Sequence, residues 1–370
     1  MSSINRNGLP ISLNLGASTR RRFILRSAAA AAALPVLRSG LIDVASAAGE
    51  AVTFACYGGS YNDNITKAFL EGFEKKTGIK VALGADASLA LAKLQAEVNP
   101  AQWDIVELTG PEYEVAVKQD LLLPLDTGLV DASKVPAEYK GSHGIKYALF
   151  LFVMAWDQRV IPDETAPKSW ADFWDTAKYP GKRSLSANIG DGSALEAALL
   201  ADGVAIDKLY PLDVDRAFKS LERLGKANII WHNTNQEPIQ QLTSGEVALA
   251  TSFNGRVIPA TRSGAKIGFT PEYGGVSGDY LGVVRTSGNA KNAFKLIDHV
   301  ISDDQADAEY IKLTTYTSVN TAALKLVPPE LADTLPTSPK LAGKVFIKDD
   351  AWWAANLEKT LLQFKQWQMM

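Results

Sequence analysis

The chain has 370 residues, with 41 acidic against 38 basic side chains and a formal charge of −3; that balance lacks the basic surplus by which proteins hold nucleic acid. One cysteine, Cys56, leaves neither an intrachain disulfide nor a cysteine-built metal site possible. The length exceeds one ordinary hydrophobic core and suits two.

The first segment reads as an address. Thr19-Arg20-Arg21-Arg22-Phe23-Ile24-Leu25 is a twin-arginine export pattern, with a weakly apolar run from Ala28 to Leu37 and the small-residue site Ala45-Ser46-Ala47 behind it. Pro35 and Arg38 interrupt the run, which is too short to span a bilayer. Residues 1–47 are therefore expected to be a signal peptide cleaved near Ala47, by the twin-arginine route or alternatively by the Sec route. Cleavage removes six arginines and one aspartate and leaves about 323 residues at a net charge of about −8, an expected soluble periplasmic protein. Cys56 follows Thr53-Phe54-Ala55, without the pattern of a lipid-anchor site, and is expected to pack as a small apolar residue.

The stretch FACYGGSYNDNITKAFLEGF, Phe54 to Phe73, reads as a strand that breaks at Gly58-Gly59-Ser60. It reopens as a helix with Ile65, Ala68, Phe69, Gly72 and Phe73 on one stripe. Such a loop offers backbone N–H groups to an anion; the alternative is a tight turn capped by Asn62 or Asp63. Neither G-x-G-x-x-G nor G-x-x-x-x-G-K-[ST] occurs in the chain. Lys75 and Lys76 ahead of Gly78 close the helix, and Ile79–Leu83 reads as a buried strand. A second helix through Leu91, Leu94 and Val98, a strand over Trp103–Leu108 and a helix opened by Gly110-Pro111 follow, an alternation that makes a parallel α/β sheet.

The eight apolar residues Ala148–Ala155 read as a strand buried on both faces that carries the chain between lobes. A second alternating region follows. It has helices near Trp170–Ala177, Ala194–Leu200 and Val214–Lys226, and strands near Ser184 and over Asn228–Trp231. Tyr280–Val284 reads as a return strand, and Ala290–Val300 as a helix burying Ala293, Leu296, Ile297 and Val300.

Signatures of catalysis are missing. His143, His232 and His299 are scattered without H-E-x-x-H, no G-x-S-x-G elbow exists, and the turn Gly190-Asp191-Gly192-Ser193 is not a nucleophile turn. Paired carboxylates could be drawn from many acids, so a cleft enzyme such as a glycosidase stays open as an alternative.

Three stretches carry a resemblance: FACYGGSYND with FEKKTGIKV, PKSWADFWDTAKYPGKRSLS (Pro167–Ser186), and SGEVALATSFNGR (Ser244–Arg256). In order and spacing, with the closing Trp352-Trp353-Ala354-Ala355-Asn356, the chain resembles periplasmic solute-binding proteins of ABC transporters, of the spermidine/putrescine-binding type. The resemblance implies an α/β, two-lobed periplasmic-binding-protein fold, each lobe a mostly parallel sheet flanked by helices and joined by hinge strands. Lobe 1 is expected over 48–152 and 279–325, and lobe 2 over 153–278 and 326–370. It further implies a protein that grips a small molecule between lobes and hands it to an inner-membrane ABC permease with its ATPase; it does not imply catalysis, and a monomer without cofactor is expected.

By the same resemblance Gly59, Ser60 and Tyr61 lie on the cleft wall, with Thr109 and Gly110 in a comparable position. Asp279 matches a carboxylate of polyamine-binding members and Phe253 one of their tryptophans, whereas Ser277 and Ser193 stand where another tryptophan and an acid would be. Asp191, Trp156, Gln236, Tyr280 and Tyr316 are further cleft candidates. Arg256 adds a positive charge that would repel a polycation and attract a carboxylate; its other reading is a surface ion pair. The expected ligand is a small zwitterion, an amino acid or ω-amino acid. Asp279 would take the ammonium group, Tyr61, Phe253 or Tyr280 would supply an aromatic face, and Arg256 or the Gly59-Ser60 loop would take the carboxylate. Polyamine binding is the alternative, and ferric ion a further one that lacks the paired adjacent tyrosines of iron binders.

Overall fold

The computed structural model describes residues 51–369 except 85, 86 and 134, and only the backbone of Ser60; the expected signal peptide and its cleavage site lie outside the described residues. The strands in chain order are β1 (Ala51–Ala55), β2 (Lys80–Gly84), β3 (Ile105–Thr109), β4 (Gly144–Asp157), β5 (Arg183–Ser186), β6 (Ile229–His232), β7 (Leu249–Phe253), β8 (Ile267–Val283) and β9 (Phe346–Ile347). They form one sheet in the order β2-β1-β3-β8-β4-β7-β5-β6, with β9 added beside β8.

Two parallel groups, β1 with β2 and β3, and β5 with β6 and β7, flank a central antiparallel pair. That pair is β4 and β8, 14 and 17 residues long. One end of β4 (Gly144–Ala148) lies beside the stretch of β8 that pairs with β3, and the other end (Phe152–Trp156) pairs with β7. The expected run Ala148–Ala155 is thus the middle of a longer strand, and the expected return strand at Tyr280 is the end of one. Between Phe152 and Met154 the register on β8 jumps from Gly275 to Thr270, a bulge that bends the ribbon.

Helix Gly59–Ile65 runs through a π-helical turn, Thr66–Leu70, into helix Glu71–Thr77. The expected stripe is buried at Ile65, Ala68, Phe69 and Phe73. The wider turn also brings Leu70 inward, which a strict 3.6-residue period does not foresee. Gly78 ends the helix in the left-handed region. Two expectations fail. β2 is the sheet edge and half-exposed rather than buried, because only β1 covers one of its sides. In helix Leu89–Glu97 the small Ala92 and Ala96 face inward, in a cluster with Tyr113 and Ala116 of helix Gly110–Lys118, while Leu94 is 56% exposed. Helix Ala290–Ser302 buries Ala293, Leu296, Ile297 and Val300 as expected.

One core cluster joins β1, β3 and β8 to β4 and continues to Ala250 and Val257. A second, around Trp170, Phe173, Leu195 and Trp353, sits on the far group of strands. Helix Asp350–Met369 contributes Trp353, Phe364 and Trp367 to the second cluster, yet its first residue, Asp350, forms a buried ion pair at 2.5 Å with Lys146 of β4.

Close approach of β4 and β8 depends on glycine: a Cβ on Gly144 would lie 2.3 Å from the Leu281 carbonyl oxygen. Gly144→Ala is therefore expected to cost about 2–4 kcal/mol in urea unfolding. Gly72→Ala, whose Cβ meets only the His299 ring at 3.7 Å within a helix, is expected to stabilise by up to about 1 kcal/mol. Equal midpoints for the two variants would refute this account of the central pair.

Candidate functional site

Alternation along the strands assembles the site. Thr109 of β3 stands opposite Asp279 of β8, which in turn stands opposite Ala148 of β4, so these residues and Glu107, two positions before Thr109, share one face. That face floors a cavity of about 340 Å³, lined also by Tyr57, Tyr61, Phe150, Asp191, Asn235, Phe253, Arg256 and Tyr316. An adjoining chamber of about 330 Å³ shares Thr109, Phe150, Asp191 and Asp279 with it and extends to Gly110, Ser277 and Asp350.

Aromatic rings form the walls. Phe150 meets Phe253 edge-on at 5.3 Å and lies 5.6 Å from Tyr316; Tyr57 and Tyr61 are 5.9 Å apart. Offset and edge-on rings of this kind suit an alkyl chain or a cation against their faces. Beneath the wall, fully buried Glu107 accepts hydrogen bonds from the Tyr61 hydroxyl (2.6 Å) and the Tyr147 hydroxyl (2.9 Å) on Oε1, while its Oε2 has no partner.

The acids are held away from their charged forms. Burial pushes the Glu107 carboxyl up to about 7, against the two tyrosine hydroxyls that pull it down. Burial, and then the neighbouring Glu107 and Asp191, raise Asp279 well above the usual carboxylate range. Asp191 is raised too, by burial first, with Lys348 opposing. A cation placed among these groups would pair with charge that the cavity by itself disfavours. Arg256 is exposed at the rim of the same cavity, so one cavity presents both signs.

The structure brings together Tyr61, Thr109, Asp191, Phe253, Arg256, Asp279 and Tyr316 of the expected residues in the first chamber, with Gly110 in the second. Others it places elsewhere. Tyr280 follows Asp279 on the strand and so faces the opposite side, stacked at 3.9 Å on Tyr113 in a separate core. Trp156 donates its indole N–H to Asp163 (3.0 Å) and lines a different depression with Lys168 and Phe269, because β4 has by then passed to its pairing with β7. Ser193 is wholly buried, with φ of 51°, ahead of helix Ala194–Ala201 and lines neither chamber. Gln236 is exposed, and its neighbour Asn235 lines the cavity instead.

The glycine loop has its own answer. The Gly58 N–H and the Cys56 thiol both donate to Asn62 Oδ1, at 2.8 and 2.9 Å, so the turn is capped from within. Gly59 is absent from the lining of both chambers; the loop's contribution is to set Tyr57 and Tyr61 on the wall. Sequence reading missed Tyr57, Phe150, Asn235 and Glu107. Glu107 had a signal, as a lone acid in the apolar strand Ile105–Leu108.

Glu107 makes stability depend on pH. Its folded value lies above its unfolded one, 4.5. Its contribution is therefore complete below about pH 4.5 and lost as pH rises through about 7, up to about 3 kcal/mol in all. Buried Asp307, also pushed up to about 7, has the same sign. Thermal melts from pH 5 to 8 should thus show a falling midpoint for the ligand-free protein and a shallower fall for Glu107→Gln, which keeps the tyrosine bonds without the ionisation.

Comparison with known proteins identifies the family. The profile of a family described as bacterial extracellular solute-binding protein matches residues 68–342. A gamma-aminobutyric acid-binding protein of Pseudomonas aeruginosa is 30% identical over 331 residues, 87% of this chain and 92% of that protein. A spermidine/putrescine-binding periplasmic protein of Salmonella typhimurium is 25% identical over 286 residues, 74% of this chain and 80% of that one. Among solved structures, an Atu4243–GABA receptor matches with a TM-score of 0.78 at 32% identity, covering 86% of this chain and 98% of that one. With a matched profile over most of its length and an α/β fold shared with these binding proteins, the chain belongs to the bacterial extracellular solute-binding protein family.

Proposed function

We propose that this protein is the periplasmic solute-binding component of an ABC importer, and that its ligand is a small zwitterion of the amino acid or ω-amino acid class. The observation that carries the reading is one aromatic cavity holding charge-starved carboxylates at buried Asp279 and half-buried Asp191, with a guanidinium at Arg256. An ammonium group pairs with the acids and a carboxylate with Arg256, so each charge removed from water has a partner. A polyamine would satisfy the acids and leave Arg256 opposed by like charge. The gamma-aminobutyric acid named for two of the proteins above supports the zwitterion over the polyamine named for the third. The reading assigns the chain no catalytic step.

Capture works by closure. Lobe 1, residues 48–152 and 279–325, and lobe 2, residues 153–278 and 326–370, turn about β4 and β8, with the bulge opposite Phe152–Met154 absorbing the bend. Ligand contacts made only in the closed form drive the change, and the closed form is what the permease receives. Export through the amino-terminal address places the protein where this exchange occurs.

Gamma-aminobutyric acid at a hundred times its Kd should stabilise the protein by about 2.7 kcal/mol in a thermal-shift assay. Loss of a charge-assisted bond in Arg256→Ala should weaken binding by roughly 1.5–3 kcal/mol, and Asp279→Asn should abolish it. Stabilisation by spermidine with none by zwitterions would replace this reading with the polyamine one. Small-angle scattering should show compaction on adding a ligand that binds; an unchanged radius of gyration with saturated ligand refutes closure.

A further inference from the structure

Behind the cavity wall three oxygens form a triangle. Glu107 Oε1 lies 2.6 Å from the Tyr61 hydroxyl and 2.9 Å from that of Tyr147, and the two hydroxyls are 3.0 Å apart. All three sides are hydrogen-bond distances. The two phenolic hydrogens fill the sides that meet at Oε1 and leave the third side without one. A carboxylic hydrogen on Oε1 closes the ring, and each oxygen then gives one bond and accepts one. The other carboxyl oxygen argues the same way. Oε2 is buried without a partner; on a neutral acid it is a carbonyl oxygen, whereas on a carboxylate it would carry charge with neither donor nor water.

The surroundings supply nothing to hold the ionised form. Facing Glu107 are Cys56 and Tyr57 after β1, Tyr61, Tyr147 of β4, Tyr310 of helix Asp304–Thr314 and Asp279 of β8, none of them basic. Lys146, next to Tyr147 in the chain, is paired instead with Asp350 and sits over the Tyr280 ring at 5.2 Å. Burial raises the Glu107 carboxyl to about 7, so the third hydrogen is present below that pH and leaves above it.

That hydrogen decides the charge offered to a ligand. Glu107 stands opposite Leu281 of β8, two positions from Asp279 on the same face, a separation of about 7–8 Å over which a charge is still felt inside a protein. Of the other groups near Asp279, Asp191 has Lys348 against it, and Glu112 lies in the first turn of helix Gly110–Lys118, where the helix dipole offsets its charge. With Glu107 neutral, what remains is Asp279, whose charge an ammonium draws out, and Arg256: one of each sign. Glu107 itself lines neither chamber. Resting on the zwitterion reading, we infer that Glu107 determines specificity without touching the ligand: its proton keeps the cavity selective for a zwitterion, and loss of that proton turns the preference toward a diamine.

Calorimetric affinities for gamma-aminobutyric acid and for putrescine, the diamine of matching chain length, test this between about pH 6 and 8, where alkyl ammonium groups stay charged. The ratio of putrescine to gamma-aminobutyric acid affinity should rise about tenfold across that range in the native protein. It should stay nearly constant in Glu107→Gln and in Glu107→Leu, a second variant that lacks the acid. The infrared difference between the native protein and either variant at about pH 6 should contain the carbonyl band of a protonated carboxyl. No rise in the native protein, undetectable putrescine binding throughout included, overturns the inference, as does a rise of equal size in a folded variant or the absence of that band. In each of these cases binding of gamma-aminobutyric acid leaves the zwitterion reading standing. Its failure to bind at any pH overturns that reading and the inference with it.

Discussion

The central constraint is the antiparallel pairing of two long strands, β4 and β8, along most of their length. Every other strand reaches the sheet by way of them: β3 and its neighbours on one side of the pair, β7 and its neighbours on the other. Backbone hydrogen bonds resist stretching and shearing but tolerate twist and bending, more so where a bulge interrupts the ladder. The same ribbon therefore holds two groups of strands together and leaves them one soft degree of freedom. The candidate site sits on that ribbon, at Ala148, Phe150, Ser277 and Asp279.

Binding chemistry follows from placing acids where water is scarce. Asp279 and Glu107 lie on one face of neighbouring strands, too close for both to be charged at low cost. Alone they favour the protonated form, whereas a cation against Asp279 would favour that carboxyl's ionised form. The tyrosines that hold Glu107 are also wall residues or their neighbours, so the rings are oriented by the group whose charge they screen.

The sequence reveals this architecture unevenly. Helix Ala290–Ser302, the strand centred on Phe152 and the turn at Gly78 are readable because period, apolar run length and glycine each have a local cause. The edge position of β2 is not, since Val81 and Leu83 would look the same in a central strand and only the strand order exposes them. In the site, Asp279 and Phe253 were placed through resemblance to known stretches and Arg256 through its charge close in sequence to one of them, while Tyr280 was misplaced by one residue of strand alternation and Gln236 by one residue of a turn. Those errors are small in sequence and complete in space, because adjacent strand residues face opposite sides. Phe150 was hidden inside an apolar run, where a wall residue and a core residue have the same composition.

The ion pair between Lys146 and Asp350 sets a condition on biosynthesis. Lys146 is 1% exposed and its partner carboxylate is encoded some two hundred residues later. Until that late segment leaves the ribosome, the nascent chain cannot bury the lysine without stranding a charge, a penalty of about 3–5 kcal/mol. Early segments can collapse as they emerge, but β4 cannot settle fully into the sheet before translation is nearly complete.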